Sequence, residues 1–437
     1  MISTDDLTPH CTNWAGNLRY SAPQPDSPRT LDELREIVRG SNKLRALGSR
    51  HSFNTIADSN ARQVSLAHFD SIEIDAAART VTVGAGVRYG TLAPALHAAG
   101  FALPNLASLP HITVAGAVAT ATHGSGVGNG SLATSVSALE LVVADGSIVR
   151  LSRADNAAEF PGAVVALGSL GIVTRVTLDI VPRFDIAQTV YRDLAMDQLE
   201  HNLEAILSAG YSVSLFTNWQ SDTRPGGRIA QVWIKDRIAG DAQYAAQNAS
   251  PLPDFYGAKP ATENMHPIEG NAAGNCTPQL GVRGPWHQRL PHFRMEFTPS
   301  NGAELQTEYF VPRDRGYPAI RAVQSLSDRI APLLLVTELR AVAADDLWLS
   351  PAYQRDSLAI HFTWKPMQPE VGALLPRIEE KLAPFAARPH WGKLFTISPA
   401  QLAALYPRLA DFRALARRYD PDGKFRNEFV ECNLFSR

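Results

Sequence analysis

Residues 105–131 constrain the fold more than any other part of the chain. They read NLASLPHITVAGAVATATHGSGVGNGS, with glycine at positions 116, 124, 126, 128 and 130. Positions without side chains let backbone N–H groups approach an anion closely, and small hydroxyls add donors. The stretch therefore indicates a loop that binds a pyrophosphate, with a flexible surface loop as an equal alternative. It spells neither G-x-G-x-x-G after a strand nor G-x-x-x-x-G-K-[ST], which argues against Rossmann and P-loop folds.

A second small-residue turn lies in residues 47–54, LGSRHSFN. A strand over 44–47 is expected to run into the turn Gly48-Ser49-Arg50-His51. A lone histidine is usually a structural residue. His51 is of more interest because its turn follows a strand and because two small-residue loops can hold one dinucleotide from both sides.

Residues 337–364, TELRAVAADDLWLSPAYQRDSLAIHFTW, place four polar groups on two predicted strands. Alternate residues of a strand share a face, so Glu338 and Arg340 point the same way, and so do His361 and Thr363. Four such groups on one side of a sheet can converge on a small polar ligand. The alternative is a solvent-facing sheet with a cross-strand ion pair.

Lys393 lies in residues 388–395, RPHWGKLF, among Trp391, Leu394 and Phe395. Such apolar surroundings can desolvate an ammonium group and shift its pKa. The alternative is a surface lysine whose stem covers apolar side chains while its amine stays in water.

A chain of 437 residues is too long for one ordinary core, so two domains are expected. Patterning predicts an α+β protein, with one domain from residues 1–182 and 399–437 and a second over 183–398. Residues 251–285 are rich in Pro, Gly and Asn and predict an extended loop. The predicted helices cover 31–38 and 91–99, and the predicted strands 44–47, 80–83, 139–144, 147–151, 172–181, 306–311, 336–341 and 358–364.

Composition narrows the class of protein. A net charge of −2 argues against a large nucleic-acid interface. The longest near-apolar run, residues 163–173, is too short to span a bilayer, and MISTDDLTPH does not resemble a signal peptide. Three distant cysteines, Cys11, Cys276 and Cys432, predict neither a disulfide framework nor a metal cluster, and H-E-x-x-H does not occur. We expect a cytoplasmic protein without a metal site or a membrane partner.

Taken together, these stretches resemble the alditol oxidases of the xylitol oxidase type, which are covalent FAD enzymes of the vanillyl-alcohol-oxidase superfamily. The resemblance runs through nearly the whole chain in long, specific segments. These are NWAGN (13–17), LGSRHSFN (47–54), NLASLPHITVAG through HGSGVGNGS (105–131), GPWHQRLPHFRMEFTPS (284–300), EYFVP (308–312), WLSPAY (348–353), RPHWGKLF (388–395) and YPRLADF (406–412).

The resemblance implies a two-domain fold, in which both chain ends form an FAD-binding domain and a mainly antiparallel sheet forms a substrate domain. It implies a bond from the 8α-methyl carbon of FAD to His51, which raises the redox potential of the flavin. The cofactor-binding residues that it implies are Ala46, Leu47, Gly48, Ser49, Arg50, His51, Ser52, Ser108, Thr113, Val114, Ala115, Gly116, Thr120, Ala121, Thr122, His123 and Thr363.

The implied reaction removes a hydride from the terminal carbon of an alditol such as xylitol or sorbitol, and gives an aldose and, with O₂, H₂O₂. Glu338, Arg340, Lys393 and Ser108 are the implied substrate-binding residues. Glu338, Arg340, Lys393 and His361 are the candidate catalytic residues, with His361 as the base. A monomer is expected.

Three alternatives remain at the level of sequence. The first is an aldonolactone oxidase or dehydrogenase of the same superfamily, although the pair Glu338 and Arg340 with Lys393 favours open-chain polyols. The second is a dehydrogenase, since Ala107 lies where residue size is thought to control O₂ access, and alanine is associated with dehydrogenases among lactone-oxidising relatives. The third is a sugar-binding protein that has lost catalysis.

Overall fold

The computed structural model describes residues 12–22, 24–220, 226–238, 252–297 and 303–436. Within these ranges the helices are α1 Leu31–Arg39, α2 Tyr89–Ala98, α3 Val114–Ala119, α4 Phe160–Val164, α5 Leu199–Leu207, α6 Gly316–Gln324, α7 Ser327–Ile330, α8 Gln368–Leu382, α9 Pro399–Leu405, α10 Leu409–Tyr419 and α11 Glu428–Val430. The strands are β1 Leu44–Leu47, β2 Arg62–Ser65, β3 Ile72–Asp75, β4 Thr80–Gly84, β5 Phe101–Ala102, β6 Val136–Val142, β7 Ile148–Ser152, β8 Ile172–Asp179, β9 Val181–Pro182, β10 Asp185–Ala195, β11 Ser212–Thr217, β12 Arg228–Ile238, β13 Lys259–Pro260, β14 Gly284–Pro285, β15 Leu305–Pro312, β16 Leu334–Val342, β17 Ser357–Trp364 and β18 Arg388–Pro389.

The predicted elements are present, with ends that differ by a few residues. Strand β1 covers the predicted span, and α1 runs one residue beyond it. Thr30 caps α1 by accepting from the backbone N–H of Glu33, and Glu33 Oε2 accepts from the backbone N–H of Arg29 at 2.7 Å. Residues 252–285 contain short pieces of regular structure and are otherwise irregular, in agreement with the predicted loop.

The first large sheet has the strand order β3-β4-β8-β6-β7 and lies before residue 183. Strands β6 and β7 correspond to two predicted strands and form a hairpin, in which Gly146 takes a φ of +80° in the turn. Strand β8 alternates buried and half-buried residues, as a strand with one face in the core does. Beside this sheet, β1 and β2 pair in parallel.

The second large sheet has the strand order β13-β10-β12-β11-β16-β17-β15-β18, and β14 pairs with β10. Every residue of β17 is buried, because helices cover one face of the sheet and the first half of the molecule covers the other. The apolar residues of β17 that face the helices pack in a core with residues of α5, α6 and α8. The opposite face carries His361 and Thr363.

The end of the described chain returns to the first sheet. Phe412 of α10 packs in the same core as β4, β6 and β8. Arg45 of β1 is buried and links three segments of the chain by hydrogen bonds. Its guanidinium donates to the carbonyl oxygens of Leu167 and Phe425, each at 2.7 Å, and to that of Ile56. The predicted domain boundaries at residues 182 and 399 stay a prediction, and the two large sheets lie on either side of the first boundary.

None of the helices in the described ranges combines the length and the apolar character that crossing a membrane requires.

Candidate active site

A cavity of about 1130 Å³ lies between the two large sheets. Sites for drug-sized ligands have volumes of roughly 300–1,000 Å³, so this cavity has room for a larger ligand. Most of the predicted cofactor-binding residues line it, namely Ala46, Leu47, Gly48, Ser49, Arg50, His51, Ser52, Ser108, Thr113, Ala115, Gly116, Thr120, Thr122, His123 and Thr363. The predicted substrate-binding and catalytic residues Glu338, Arg340, His361 and Lys393 line the same cavity.

The turn after β1 places His51 on the cavity wall. Arg50, with a φ of +63°, accepts a hydrogen bond from the backbone N–H of Trp14, and the Trp14 ring stacks on the imidazole with 5.1 Å between centroids. Burial lowers the pKa of His51 to about 4, so the ring is neutral near pH 7. Its Nδ1 is buried without a hydrogen-bond partner. A fixed, neutral imidazole with an unpartnered nitrogen suits attachment to a cofactor.

The two small-residue loops meet at Thr113. The backbone N–H of Thr113 donates to Ser49 Oγ at 3.2 Å. A Cβ atom on Gly48 would lie 2.7 Å from Thr113 Oγ1, and one on Gly116 would lie 2.8 Å from the same oxygen. A side chain at either position would therefore displace the Thr113 hydroxyl, and the two glycine backbones line the cavity, as the binding of a phosphate group demands.

The glycines at 124, 126, 128 and 130 do not belong to the part of the wall formed by Gly48 and Gly116, because they do not line the cavity. Instead, the backbone N–H of Gly126 donates to Ala341 O on β16 at 3.0 Å, and Ser125 Oγ donates to Val213 O on β11. Gly126 permits the close approach of two backbones where the two halves of the molecule join, because a Cβ atom there would lie 2.5 Å from Tyr211 O. The prediction of an anion-binding loop is thus wrong for this part of the stretch.

Two predicted cofactor-binding residues also direct their side chains elsewhere. Val114, on α3, and Ala121, with a φ of +53°, are buried in the apolar core behind the cavity. The family resemblance placed both in the prediction, but α3 turns the side chain of Val114 away from the cavity, and Ala121 lies just beyond the end of this helix.

A row of three residues crosses the second sheet at the cavity wall. His361 of β17 is paired in register with Glu308 of β15 on one side and with Glu338 of β16 on the other. Directly paired residues on neighbouring strands point to the same face. The prediction that the polar groups of these strands share a face is therefore confirmed, and Glu308 joins them.

Glu308 lies at the centre of a buried charge cluster. Lys393 Nζ donates to its Oε2 at 2.7 Å, and Arg340 Nη2 donates to its Oε1 at 2.6 Å. His123 Nε2 lies 3.3 Å from Oε1. Burial alone would raise the pKa of this carboxyl, but the charge of Lys393, followed by those of His123 and Arg340, holds it well below its ordinary value. Both oxygens of Glu308 are thus engaged.

Glu338 has fewer partners. His292 Nε2 lies 2.8 Å from Glu338 Oε1, whereas Arg340 Nε is 3.6 Å from Oε2, beyond a good hydrogen bond. Burial would raise the pKa of Glu338, but Arg340 and then His292 outweigh it, so the carboxylate is ionised. Oε2 of Glu338 therefore has acceptor capacity that faces the cavity.

Both ring nitrogens of His361 are engaged. Lys393 Nζ lies 2.7 Å from Nδ1, and Nε2 lies 3.0 Å from Thr363 Oγ1. An ammonium group has no lone pair, so Nδ1 accepts from Lys393 and the ring proton resides on Nε2. Burial, followed by the charge of Lys393, lowers the pKa of His361 to about 4. The imidazole is neutral, and its lone pair is occupied by the lysine.

The predicted loop over 251–285 contributes to the cavity. His266, Pro267, Ile268 and Asn271 line it on the side of the second sheet. The backbone carbonyl of His266 accepts from Gln231 Nε2 at 2.8 Å, which holds this segment on β12. The irregular segment is thus part of the wall of the candidate site.

Sequence analysis assigned no role to Glu308, His292 or Trp14. A signal existed for Glu308, because a single carboxylate in the buried strand LQTEYFVP must have partners. His292 lies in an irregular segment, where alternation cannot be used, and the stacking of Trp14 on His51 joins residues 37 positions apart.

Two family models match the chain. The model described as "FAD binding domain" matches residues 26–152, and the model described as "D-arabinono-1,4-lactone oxidase" matches residues 301–433. The solved structure of cholesterol oxidase from B. sterolicum has the same fold, with a TM-score of 0.74 and 16% identity over 97% of this chain and 96% of that one. The fold and the site thus define an FAD-binding oxidoreductase of the vanillyl-alcohol-oxidase type.

Similarity to curated proteins narrows the class further. The chain is 51% identical to an alditol oxidase of Streptomyces sp. over 96% of its own length and 97% of the relative's. It is 26% identical to the L-gulonolactone oxidase of Mus musculus, over 96% of this chain and 97% of that protein. The protein belongs to the alditol oxidase family, and the lactone-oxidising enzymes are its more distant relatives.

Proposed function

We propose that the protein oxidises the terminal primary hydroxyl of an open-chain polyol such as xylitol or sorbitol, with FAD bound covalently to His51 and with O₂ as electron acceptor. The observation that carries the proposal is the free acceptor oxygen of Glu338 beside Arg340 in the cavity wall. A polyol has no apolar face, so it is recognised by paired donors and acceptors, each worth about 1–3 kcal/mol when the alternative is an unmade buried hydrogen bond.

The substrate-binding residues in this proposal are Ser108, Glu338, Arg340 and Lys393. Glu338 accepts hydrogen bonds from neighbouring substrate hydroxyls. Arg340 and Lys393 are held by Glu308 and donate to the reacting oxygen. Their positive charges stabilise the negative charge that develops on this oxygen as it loses its proton.

His51 would hold the cofactor, and the loops over 46–52 and 113–123 would enclose it. The unpartnered Nδ1 of His51 and the glycine backbones at 48 and 116 support this assignment. When bound, FAD supplies the acceptor for the hydride of the terminal carbon and passes the electrons to O₂, which gives an aldose and H₂O₂. The linkage and the acceptor are both part of the proposal.

His361 is the proposed base for the substrate hydroxyl. Its neutral ring suits this role, since burial keeps its pKa near 4. In the free protein the lone pair of Nδ1 accepts from Lys393, so the His361–Lys393 hydrogen bond must open when the substrate binds. The substrate oxygen then replaces the imidazole as the acceptor of the ammonium group, and Nδ1 is freed to take the proton.

A second candidate is oxidation of an aldonolactone, which the match to the lactone oxidase model over residues 301–433 favours. A related candidate is a polyol dehydrogenase, because Ala107 lines the cavity at the position where the resemblance associates alanine with dehydrogenases. We further propose that the protein acts as a monomer in the cytoplasm, which sedimentation and cell fractionation test.

The first experiment combines two measurements. Protein that has been precipitated with acid and washed should remain yellow, and the His51→Ala variant should lose this colour. Native protein given xylitol should consume O₂ and produce H₂O₂, with little response to L-gulono-1,4-lactone. The His361→Ala variant should retain the flavin and lose roughly 10²–10⁴-fold in turnover, as expected for removal of a general base.

Other results separate the candidates. Colourless protein that does not take up FAD would overturn the proposal. A flavin that xylitol bleaches without O₂ uptake would identify a dehydrogenase and implicate Ala107. Faster oxidation of the lactone than of xylitol would establish the second candidate, and unchanged turnover after His361→Ala would remove His361 as the base.

A further inference from the structure

Lys235 lies on β12 with its side chain inside the protein, and it does not line the cavity. Its Nζ donates to Leu290 O at 2.5 Å, to His292 Nδ1 at 3.1 Å and to Pro291 O at 3.4 Å. Three acceptors match the three donors of an ammonium group. Lysines are almost never fully buried without a paired charge, so neutral direct partners call for an explanation.

His292 links this lysine to the candidate substrate pocket. The imidazole is packed edge-on against Phe216 and Trp233, with ring centroids 5.6 and 5.1 Å away. Because Nδ1 accepts from the ammonium of Lys235, the ring proton is on Nε2. Nε2 is 2.8 Å from Glu338 Oε1, so the imidazole donates to this carboxylate.

We propose that Lys235 is a positioning residue, which fixes the tautomer of His292 so that Glu338 keeps Oε1 bound and presents Oε2 to the polyol. The inference rests on the proposed role of Glu338 in binding substrate. It adds Lys235 and His292 to the residues that set the affinity for the polyol.

The tautomer matters because a carboxylate can accept hydrogen bonds but cannot donate them. Without Lys235, Glu338 alone would favour the proton on Nε2, and a ring that carried its proton on Nδ1 would present a lone pair of Nε2 to the carboxylate. The carboxylate would be repelled and would turn towards Arg340 Nε, now 3.6 Å from Oε2. The acceptor offered to the substrate would be lost, although the fold and the cofactor cavity would remain.

The experiment compares KM and kcat for xylitol in Lys235→Met and in Lys365→Met, a matched control whose Nζ donates to a backbone carbonyl away from the cavity. Assays at pH 6 keep Lys235 charged, because burial lowers its pKa to about 7. We expect Lys235→Met to raise KM about 10-fold or more, as for loss of one charged hydrogen bond, with a much smaller change in kcat and an unchanged flavin spectrum. Lys365→Met should behave as the unmodified protein does.

His292 provides a second test that does not need the lysine variant to fold. Glutamine at this position retains an N–H that can donate to Glu338, whereas leucine does not. We expect His292→Gln to keep a KM within about threefold of the original and His292→Leu to raise KM at least as much as Lys235→Met. Equal KM values for the two His292 variants would overturn the inference.

Glu338→Gln separates this inference from the proposed function. If the lysine acts through the carboxylate, Lys235→Met should add little to the effect of Glu338→Gln in the double variant. A raised KM in Glu338→Gln with an unchanged KM in Lys235→Met would refute the role of Lys235 and leave the proposed function standing. An unchanged KM in Glu338→Gln would refute the substrate role of Glu338 and the inference with it.

Discussion

His361 lies between two glutamates, Glu308 and Glu338, which differ in the hydrogen bonds that they accept. On the side of β15, Glu308 is buried and both of its oxygens are bound, to Lys393 and to Arg340. On the side of β16, Glu338 has one short hydrogen bond, from His292, and a second oxygen whose nearest cation is 3.6 Å away. We infer that Glu308 holds the two cations in place and that Glu338 serves the ligand.

This difference shows that burial and charge alone do not identify a binding residue. Glu308 and Glu338 are 1% and 6% exposed, and both have a pKa below the ordinary value for a glutamate. The cations bound to each carboxylate distinguish them, because each oxygen of Glu308 accepts from a cation at 2.6 or 2.7 Å, whereas the Arg340 guanidinium is 3.6 Å from Glu338. Variants of the two glutamates should therefore fail in different ways.

The largest effect is expected for Glu308→Leu, which leaves Arg340 and Lys393 buried without their shared counter-ion. Removing one partner of a buried ion pair costs about 3–5 kcal/mol. The free energy of unfolding, measured by urea denaturation, should fall by about this amount. Glu338→Leu is the matched control and should lose less, because Arg340 retains Glu308; equal losses would mean that the two sides do not differ.

Glu338→Gln is expected to weaken substrate binding and to spare the fold. The amide keeps the shape of the carboxylate but replaces one acceptor by a donor, so KM for xylitol should rise about 10–100-fold. Steady-state kinetics and thermal unfolding check this together. A fall in Tm like that of Glu308→Leu, with KM unchanged, would reverse the roles of the two carboxylates.

The fall of stability at acid pH tests the Glu308 side of this comparison through His361. The imidazole of His361 contacts Lys393, which is bound to Glu308. Burial and Lys393 lower the pKa of His361 to about 4, below about 6.5 in the unfolded chain. Between these values the unfolded chain binds the extra proton, so stability is lost as the pH falls from 6.5 towards 4. His361→Asn should reduce the slope of unfolding free energy against pH by up to about 1.4 kcal/mol per unit. An unchanged slope would show that His361 is not neutral in the folded protein.

The smallest effect is expected for Ser108→Ala. Ser108 Oγ is 3.4 Å from Arg340 Nη1, a weak contact, so its removal should not disturb the Glu308 cluster. Loss of the proposed hydrogen bond to a substrate hydroxyl should raise KM about two- to fivefold, with Tm unchanged. A large fall in kcat would instead place Ser108 among the residues that stabilise the transition state.

Much of the site followed from local patterns. Period-two alternation predicted that Glu338 and Arg340 share a face of one strand and that His361 and Thr363 share a face of another. The pairing of Glu338 with His361 in the structure shows that both pairs lie on the same face of the sheet. The turn around His51 followed from glycine and small residues after a strand. These features depend on neighbours in sequence, which a single chain displays.

The parts that were missed depend on long-range packing. The partners of Glu308 come from residues 123, 340, 361 and 393, and the tautomer of His292 depends on Lys235, 57 positions away. Gly126 was assigned to an anion-binding loop because a glycine allows close backbone approach in the same way whether the neighbour is a phosphate or a strand.

The hydrogen bonds of the Arg45 guanidinium affect the order in which the two large sheets fold during synthesis. Residue 45 is synthesised before the second large sheet, whereas Phe425, which accepts one of its hydrogen bonds, is synthesised after it. Because Phe412 of α10 packs in the core of the first sheet, this core is completed only after residues 185–389 have been made, so the second sheet can assemble first. Nascent chains stalled before residue 425 should then show protease resistance in the second sheet ahead of the first.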